Sequence, residues 1–370
     1  MKLYEYMGKE LFARYGIPVP RGKVVFSPAE ALAAAREIGG PVVIKSQILM
    51  GKRGKGGGIR FAGTPEEARE AAAELLGMEL HGYKVEALLV EERLSIDQEL
   101  YVSLTIDGSA KAPVLIASAE GGMDIEEVPE ERIIKEYIDL DIGLQPFVAR
   151  EVARRLGLKE GPAKDLYRLL PAMYRLFREK DAELVEINPL VVSGERLVAA
   201  DAKINIDDYA LYRQKDLPYV DDRTPLERKA KEIGVSFVEL SGDIAIMANG
   251  AGMSMGTLDT IAYYGGTPAN FLDCGGGTGL EETAKALELL LETKPKVIFI
   301  NIFGGITRCD DVAGALVKVK RSIDIPVPVV VRLVGTNEDI GRRILEEEGI
   351  KAYTFMDEAA AKAVELAKGA

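Results

Sequence analysis

From Asp243 onward the chain repeats one unit, a short apolar run followed by a longer segment of helical periodicity. DIAIMAN, ANFLD, KVIFINIF, VPVVVRLV and KAYTF supply the runs. Runs that are apolar on both faces belong to strands covered on both sides, and the segments between them have the length of crossover helices. The pattern predicts a doubly wound parallel sheet. Such a sheet meets its ligands in the loops after the strands, and those loops are glycine-rich here: NGAGMSMG, CGGGTG and FGGITR.

The first half reads differently. A helical stretch at 4–15 leads through the breaker GIPVPRG to a KVVF strand, the helix PAEALAAAREIG and the buried strand PVVIK, which ends on Lys45. After a second helix, PEEAREAAAELLG, come the β-rich stretches VEALLVEE, ELYVSLTID and APVLIASAE. Helical segments near 146–157 and 163–179 precede AELVEINPLVV and RLVAADAKI, expected as an antiparallel pair joined at SGE. This half is α+β. A polar, charged segment from about Gln214 to Lys231 separates the halves, so domains are expected at 1–230 and 231–370, within the range that 370 residues allow.

Charge narrows the partners. With 59 acidic against 47 basic residues the net charge is −12, which argues against nucleic acid or an anionic membrane as the main partner. The N-terminal stretch mixes charge into every turn, unlike a signal or transit peptide, and no apolar run approaches the ~20 residues of a membrane span. Cys274 and Cys309 lack metal or disulfide spacing, so a reducing cytoplasm is the expected compartment. Anionic ligands must be met by local basic spots.

One such spot is Lys45 with the loop MGKRGKGGG, where Lys52, Arg53 and Lys55 alternate with glycines. Fixed cations beside a backbone that can approach closely suit a polyphosphate, although a solvated basic hairpin tip has the same composition. Glu186 and Asn188 in VEINPLV, with Asp201 in VAADAKI, put hard oxygen donors on neighbouring strands, as nucleotide-bound Mg²⁺ needs. A hairpin whose acids face water is the alternative. Gly250, Gly252 and Gly256, with Asp273 about twenty residues on, imitate a dinucleotide fingerprint, but as GxGxxxG. In LDCGGGTGLEE, Thr278 and Glu281 have capping-box spacing, which leaves Gly275–Gly277 unexplained and suggests an anion at the start of the following helix.

VVIKSQ with GKRGKGGG, LVEERLSIDQELY, VEINPLV, AADAKI, NGAGMSMGTLD, ANFLDCGGG and NIFGGITRCD occur in the order found in the β subunits of ADP-forming succinyl-CoA synthetases, and the resemblance covers essentially the whole chain. It implies an ATP-grasp half followed by a flavodoxin-like CoA-ligase half. It also implies a reversible reaction of the tricarboxylic acid cycle, in which ATP or GTP, succinate and CoA give succinyl-CoA, ADP or GDP, and phosphate. Acyl phosphate and phosphohistidine are the intermediates, with one Mg²⁺ per chain. By resemblance Lys45, Lys52, Arg53 and Gly54 meet the nucleotide phosphates, Glu91 and Leu94 flank the base, and Glu99 meets the ribose. Asn188 and Asp201 hold the metal. Glu186 orients the phosphohistidine, Asn249, Gly305, Ile306 and Thr307 contact substrate, and Gly275, Gly276, Gly277 and Thr278 cradle the histidine's phosphate. Lys52 stands where many relatives have glycine, and Leu94 where the hinge is often polar.

The histidine and the CoA site belong, by the same resemblance, to an α subunit, in an αβ or α2β2 assembly. The only histidine here, His81, sits in the polar turn ELHGYK, away from every motif above. The sister alternative is a ligase for malate or another carboxylate. A dinucleotide-binding redox or regulatory protein is the alternative of another class, and it would have no use for a second site of the Lys45 and Glu186–Asn188 kind.

Overall fold

Helix α1 (Glu5–Arg14) buries Glu5 and Lys9, one turn apart, along with Leu11 and Phe12. Charges this deep demand partners, and the strands that follow provide them. The computed structural model describes residues 1–49, 56–80, 82–221, 223–277, 279–323 and 325–369, which form two compact units, Met1–Asp222 and Arg223–Ala370.

In the first unit, β1 (Gly22–Val25), α2 (Pro28–Ile38), β2 (Val42–Ser46), β3 (Ile59–Ala62) and α3 (Pro65–Leu75) lead to a short hairpin, β4 (Glu79–Leu80) with β5 (Tyr83–Lys84), and to β6 (Leu88–Glu92). Both helices start on a hydroxyl residue followed by proline. Ser27 Oγ accepts from the Glu30 amide and Thr64 Oγ1 from the Glu67 amide, satisfying donors that a helix start leaves open. Their alanine faces (Ala31, Ala34 and Ala35; Ala68, Ala71 and Ala72) are buried in one core with the antiparallel sheet β1-β6-β2-β3.

The rest of this unit comprises β7 (Gln98–Asp107), β8 (Ala112–Ser118), β9 (Ile133–Tyr137), α4 (Pro146–Arg155), α5 (Glu160–Glu179), β10 (Ala182–Ser193), β11 (Arg196–Ala199) and β12 (Lys203–Ile206). They form an antiparallel sheet ordered β11-β10-β7-β8-β9, with β12 also on β10. Leu166, Leu169, Leu170, Met173 and Phe177 of α5 recur at helical spacing and are buried in the core of this sheet, each worth ~1.5–3 kcal/mol of transfer free energy. The expected hairpin is present, with Ser193 opposite Arg196 and Gly194 at φ 61° in the turn. RLVAADAKI, however, is two strands, and Asp201 lies in the break between them.

The second unit contains α6 (Pro225–Ile233), β13 (Ser236–Glu239), β14 (Ile244–Ala248), α7 (Ala251–Tyr263), β15 (Asn270–Asp273), α8 (Leu280–Glu292), β16 (Val297–Gly304), α9 (Cys309–Ser322), β17 (Val329–Gly335), α10 (Glu338–Glu347), β18 (Ala352–Tyr353) and α11 (Met356–Gly369). The sheet runs β13-β15-β14-β16-β17-β18, parallel throughout except where β13 pairs antiparallel with β15. That edge strand was not anticipated: SFVE carries one buried residue between exposed ones and offers no apolar run. Alternate residues of β14 feed two cores. Ile244 and Ile246 pack with α7 and α11, while Ala245 and Met247 join the core of α8 and α9, as a doubly wound sheet requires.

The expected cut after residue 230 falls inside α6, which packs on α8 and β13. Its start carries a complete capping box: Thr224 Oγ1 accepts from the Glu227 amide, and the Glu227 carboxylate accepts from the Thr224 amide. Charge along 214–231 had concealed a helix. No described helix is long and apolar enough to cross a membrane.

Candidate functional site

Glu186, Asn188 and Asp201 line one cleft of about 500 Å³ in the first unit. The ladders on either side, Leu190 with Ala199 and Glu186 with Lys203, share one register, which sets Asn188 opposite Asp201. Asn188 is fixed at both ends of its amide. Its Oδ1 accepts from the Gly122 backbone amide at 2.8 Å and its Nδ2 donates to the Met123 carbonyl at 2.9 Å. One lone pair of Oδ1 remains for a ligand. Asp201 Oδ1 accepts from the Ala202 amide at 2.7 Å. An amide oxygen and a carboxylate lining one cleft fit Mg²⁺ bound to a nucleotide, which takes few protein ligands and completes its octahedron with phosphate and water. Among the described residues no cluster of three or more His, Cys, Asp or Glu offers a rival metal centre.

Glu186 accepts from the buried Tyr101 hydroxyl at 2.9 Å, with Lys203 Nζ 3.8 Å from its other oxygen. Burial and the Glu186 charge both raise the Tyr101 pKa, so the phenol stays a donor. Sequence reasoning missed Tyr101, and it missed the glycine pair 121–122 that presents an amide to Asn188. The pair in AEGGMD was the available signal: a Cβ on Gly121 would collide with the Leu100 backbone, and Gly122 sits at φ 74°.

Lys45 lies on β2 next to a second cleft, of about 600 Å³, lined also by Pro20, Val43, Phe61, Glu91, Leu94, Ile96, Glu99 and Asp201. Its ammonium donates to Glu5 Oε1 at 2.9 Å and the Ala200 carbonyl at 2.6 Å, and lies 3.0 Å from Glu91 Oε2. Lys9 joins the same acceptors. Its Nζ is 2.7 and 2.6 Å from the two Glu91 oxygens, 2.8 Å from Glu5 Oε1 and 2.8 Å from the Ala200 carbonyl. Burial works against the charge on Lys45, but Glu5, Glu91 and Asp201 outweigh it and hold its pKa above the ordinary lysine value. For Lys9 burial dominates, with Lys45 adding to it, and the pKa is lowered. Glu5 and Lys9 escaped the sequence reading because EYMGK resembles any charged amphipathic turn. Lys52, Arg53, Gly54 and His81 lie outside the described residues.

In the second unit the glycine loops follow the carboxyl ends of β14, β15 and β16, and they are tied to one another. Asp273 Oδ1 accepts from the Gly250 amide at 2.6 Å and the Gly275 amide at 2.7 Å. Thr307 Oγ1 accepts from the Gly277 amide at 3.1 Å and donates to the Gly275 carbonyl at 3.2 Å. Asn249 spans to β16, donating to the Phe303 carbonyl and accepting from its amide at 2.8 and 2.9 Å. Thr307 is thus a buried brace, Gly305 is exposed, and Ile306 is 82% exposed.

Helix α8 is N-capped by Gly279, and the Thr278 half of the expected capping box lies outside the described residues. The glycines form a turn ahead of it: Gly275 and Gly277 have φ 74° and 86°, a left-handed backbone that itself calls for glycine. Only Gly276 has neither a positive φ nor a neighbour within 4 Å of an added Cβ. The dinucleotide fingerprint fails on geometry. One oxygen of Asp273 braces loop amides, and a Cβ on Gly256 would meet nothing within 4 Å, so no close helix–strand contact needs that glycine.

Residues 2–192 match the ATP-grasp domain family and residues 247–366 the CoA-ligase family. The succinate–CoA ligase (ADP-forming) subunit beta of Staphylothermus marinus is 46% identical over 375 residues, covering 100% of this chain and 99% of that one. The protein of the same name from Chloroflexus aurantiacus is 46% identical over 378 residues, covering 100% of both. Among solved structures, ATP citrate lyase from Methanothrix soehngenii, in complex with citrate and coenzyme A, matches with a TM-score of 0.67 at 22% identity, over 98% of this chain and 99% of that one, which bears on fold alone. Identity of this level along the full length, on an ATP-grasp domain followed by a CoA-ligase domain, establishes that the chain belongs to the family of ADP-forming succinate–CoA ligase β subunits.

Proposed function

We propose that the chain is the nucleotide-using subunit of a succinate–CoA ligase. It works with an α subunit that carries the phosphorylated histidine and the CoA site, in an αβ or α2β2 complex. The base occupies the cleft lined by Pro20, Val43, Leu94 and Ile96, beside the Glu91 backbone, with Glu99 at the ribose. Lys45, with Lys52, Arg53 and Gly54, meets the phosphates. Asn188 and Asp201 hold Mg²⁺, which when bound neutralises phosphate oxygens and aligns them for transfer. Glu186, kept oriented by Tyr101, receives the partner's histidine at the phosphate end of the site.

One observation carries this reading: the two clefts share Asp201, with Lys45 lining the one and Asn188 and Glu186 lining the other. A nucleotide whose base fills the apolar cleft extends its phosphates past Lys45 to the Asn188–Asp201 pair. In the second unit, the exposed loop at Gly305–Ile306, the Asn249 turn and the Gly275–Gly277 turn with Thr278 contact substrate and the phosphohistidine. Of the three glycines, Gly276 is left to face the phosphate. Both cysteines are buried free thiols, which fits a reducing cytoplasm. The test is a coupled assay of the co-expressed pair with succinate, malate and other carboxylates against ATP and GTP. Succinate-dependent, CoA-dependent ADP release supports the reading. Release driven better by another acid would assign the chain to a sister ligase.

A further inference from the structure

The buried cluster around Lys45 contains one cation more than a phosphate site needs. Lys45 is the lysine aimed at the nucleotide cleft, yet both carboxylates that surround it are also held by Lys9, which approaches both Glu91 oxygens, Glu5 Oε1 and the Ala200 carbonyl within 2.8 Å. The side chains of Glu5, Lys9 and Glu91 are no more than 5% exposed and that of Lys45 is 12% exposed, so water cannot stand in for a missing partner. Gly22 makes the arrangement possible: a Cβ there would lie 2.6 Å from Glu91 Cγ.

We infer that Lys9 is a positioning residue for Lys45: it shares Glu5, Glu91 and the Ala200 carbonyl with the Lys45 ammonium, and by taking part of their charge it loosens their hold on that ammonium, so that Lys45 can turn to a nucleotide phosphate. The inference rests on the proposed role of Lys45. When phosphate arrives and Lys45 turns to it, Lys9 still touches both carboxylates and the Ala200 carbonyl, so none of these acceptors is stranded. With Lys9 removed, two buried carboxylates share Lys45 alone, and a phosphate must compete with both for one ammonium in a low-dielectric site. Glu5 has the opposite effect. Its removal leaves Glu91, with the more distant Asp201, to hold both lysines and loosens the hold on Lys45.

This opposition in sign supplies the test, since all the variants disturb the same buried cluster. The full chain is titrated with Mg-ADP by calorimetry, with circular dichroism to establish folding. Lys9→Met weakens binding by about tenfold or more. Glu5→Gln leaves binding unchanged or tighter, and Lys9→Met with Glu5→Gln restores it to within a few-fold of wild type. If Lys9→Met does not fold, Glu5→Gln and the charge-balanced double variant still decide. Loss of affinity in both single variants alike, or a double variant below about a tenth of wild-type affinity, overturns the inference and makes the cluster a structural ion network. Lys45→Ala separates the two levels. If it binds Mg-ADP as wild type does, the phosphate role of Lys45 fails; if it binds weakly while Lys9→Met binds normally, only the role of Lys9 fails.

Discussion

The two units hold their candidate ligand groups by opposite means. Around Lys45 and Asn188, side chains from α1, β2, β6 and β10 converge, and buried charge is balanced by buried charge. Around Gly275 the candidate groups are glycine loops, and the side chains beneath them, Asp273, Thr307 and Asn249, take the Gly250, Gly275 and Gly277 amides or reach β16 and so tie one loop to the next. A site made of balanced side-chain charge fails when one member is deleted, because the remaining charge is stranded. A site made of braced backbone tolerates changes in its own side chains and fails when a brace or a left-handed glycine is replaced.

The largest effect expected from this contrast is in the first unit. Asp201→Ala removes the carboxylate proposed to hold the metal and one of the charges that sustain Lys45, so it is expected to cost at least about a hundredfold in kcat/KM for Mg-nucleotide. Asn188→Ala follows with a comparable loss. Steady-state kinetics at limiting Mg²⁺ check both, and near-normal turnover would remove the metal from this pair. Next comes Gly276→Val. No positive φ and no close neighbour oppose it, so the fold stays intact while the yield of partner phosphohistidine from succinyl-CoA and phosphate falls about tenfold. Gly277→Val behaves differently: its left-handed φ and the Ile306 methyl 3.3 Å from the new Cβ make it cost ~1–3 kcal/mol of stability, read as a lower Tm. Equal yields for wild type and Gly276→Val would reduce the loop to a turn.

A smaller effect tests how far Glu186 depends on its neighbour. Tyr101→Phe removes one hydrogen bond to a carboxylate, worth ~1–2 kcal/mol, and lowers phosphoryl transfer by about tenfold without changing nucleotide affinity. A change in nucleotide Kd instead would mean that Tyr101 supports the base cleft. The smallest concerns Cys274, whose thiol is pushed up to about 12 by burial and by Asp273. A raised pKa favours the neutral thiol in the folded protein. Its contribution to stability is therefore full below the ordinary value of 9.0 and is lost as pH climbs toward 12. Over that interval the fall of Tm with pH is shallower in Cys274→Ala than in wild type.

What could be read in the sequence divides along the same line. Period, capping residues and glycine clusters are local, and they announced the doubly wound half, helices α2 and α3, the VEINPLV hairpin and the three glycine loops. The break at Ala200–Ala202 and the edge strand SFVE carry no local signal of their own, because a neighbour's register creates them. Lys45 and Asn188 stood out as polar groups interrupting apolar strands. Glu5 and Lys9 did not, since on an amphipathic helix nothing but tertiary contact distinguishes a buried charge from a solvated one. In LDCGGGTGLEE the number of glycines was plain, whereas the division of labour among them depended on φ angles and on Thr307, thirty residues away from Gly277.

The central claim is that this chain brings the nucleotide site and a partner brings the phosphorylated histidine. It is tested most directly by incubating the co-purified pair with γ-labelled ATP and Mg²⁺, separating the chains and measuring acid-labile phosphate on each. Label is expected on the partner alone, none on this chain, full labelling with His81→Ala, and loss of labelling with Asp201→Ala. Acid-labile phosphate at His81, or partner labelling that survives Asp201→Ala undiminished, would contradict it.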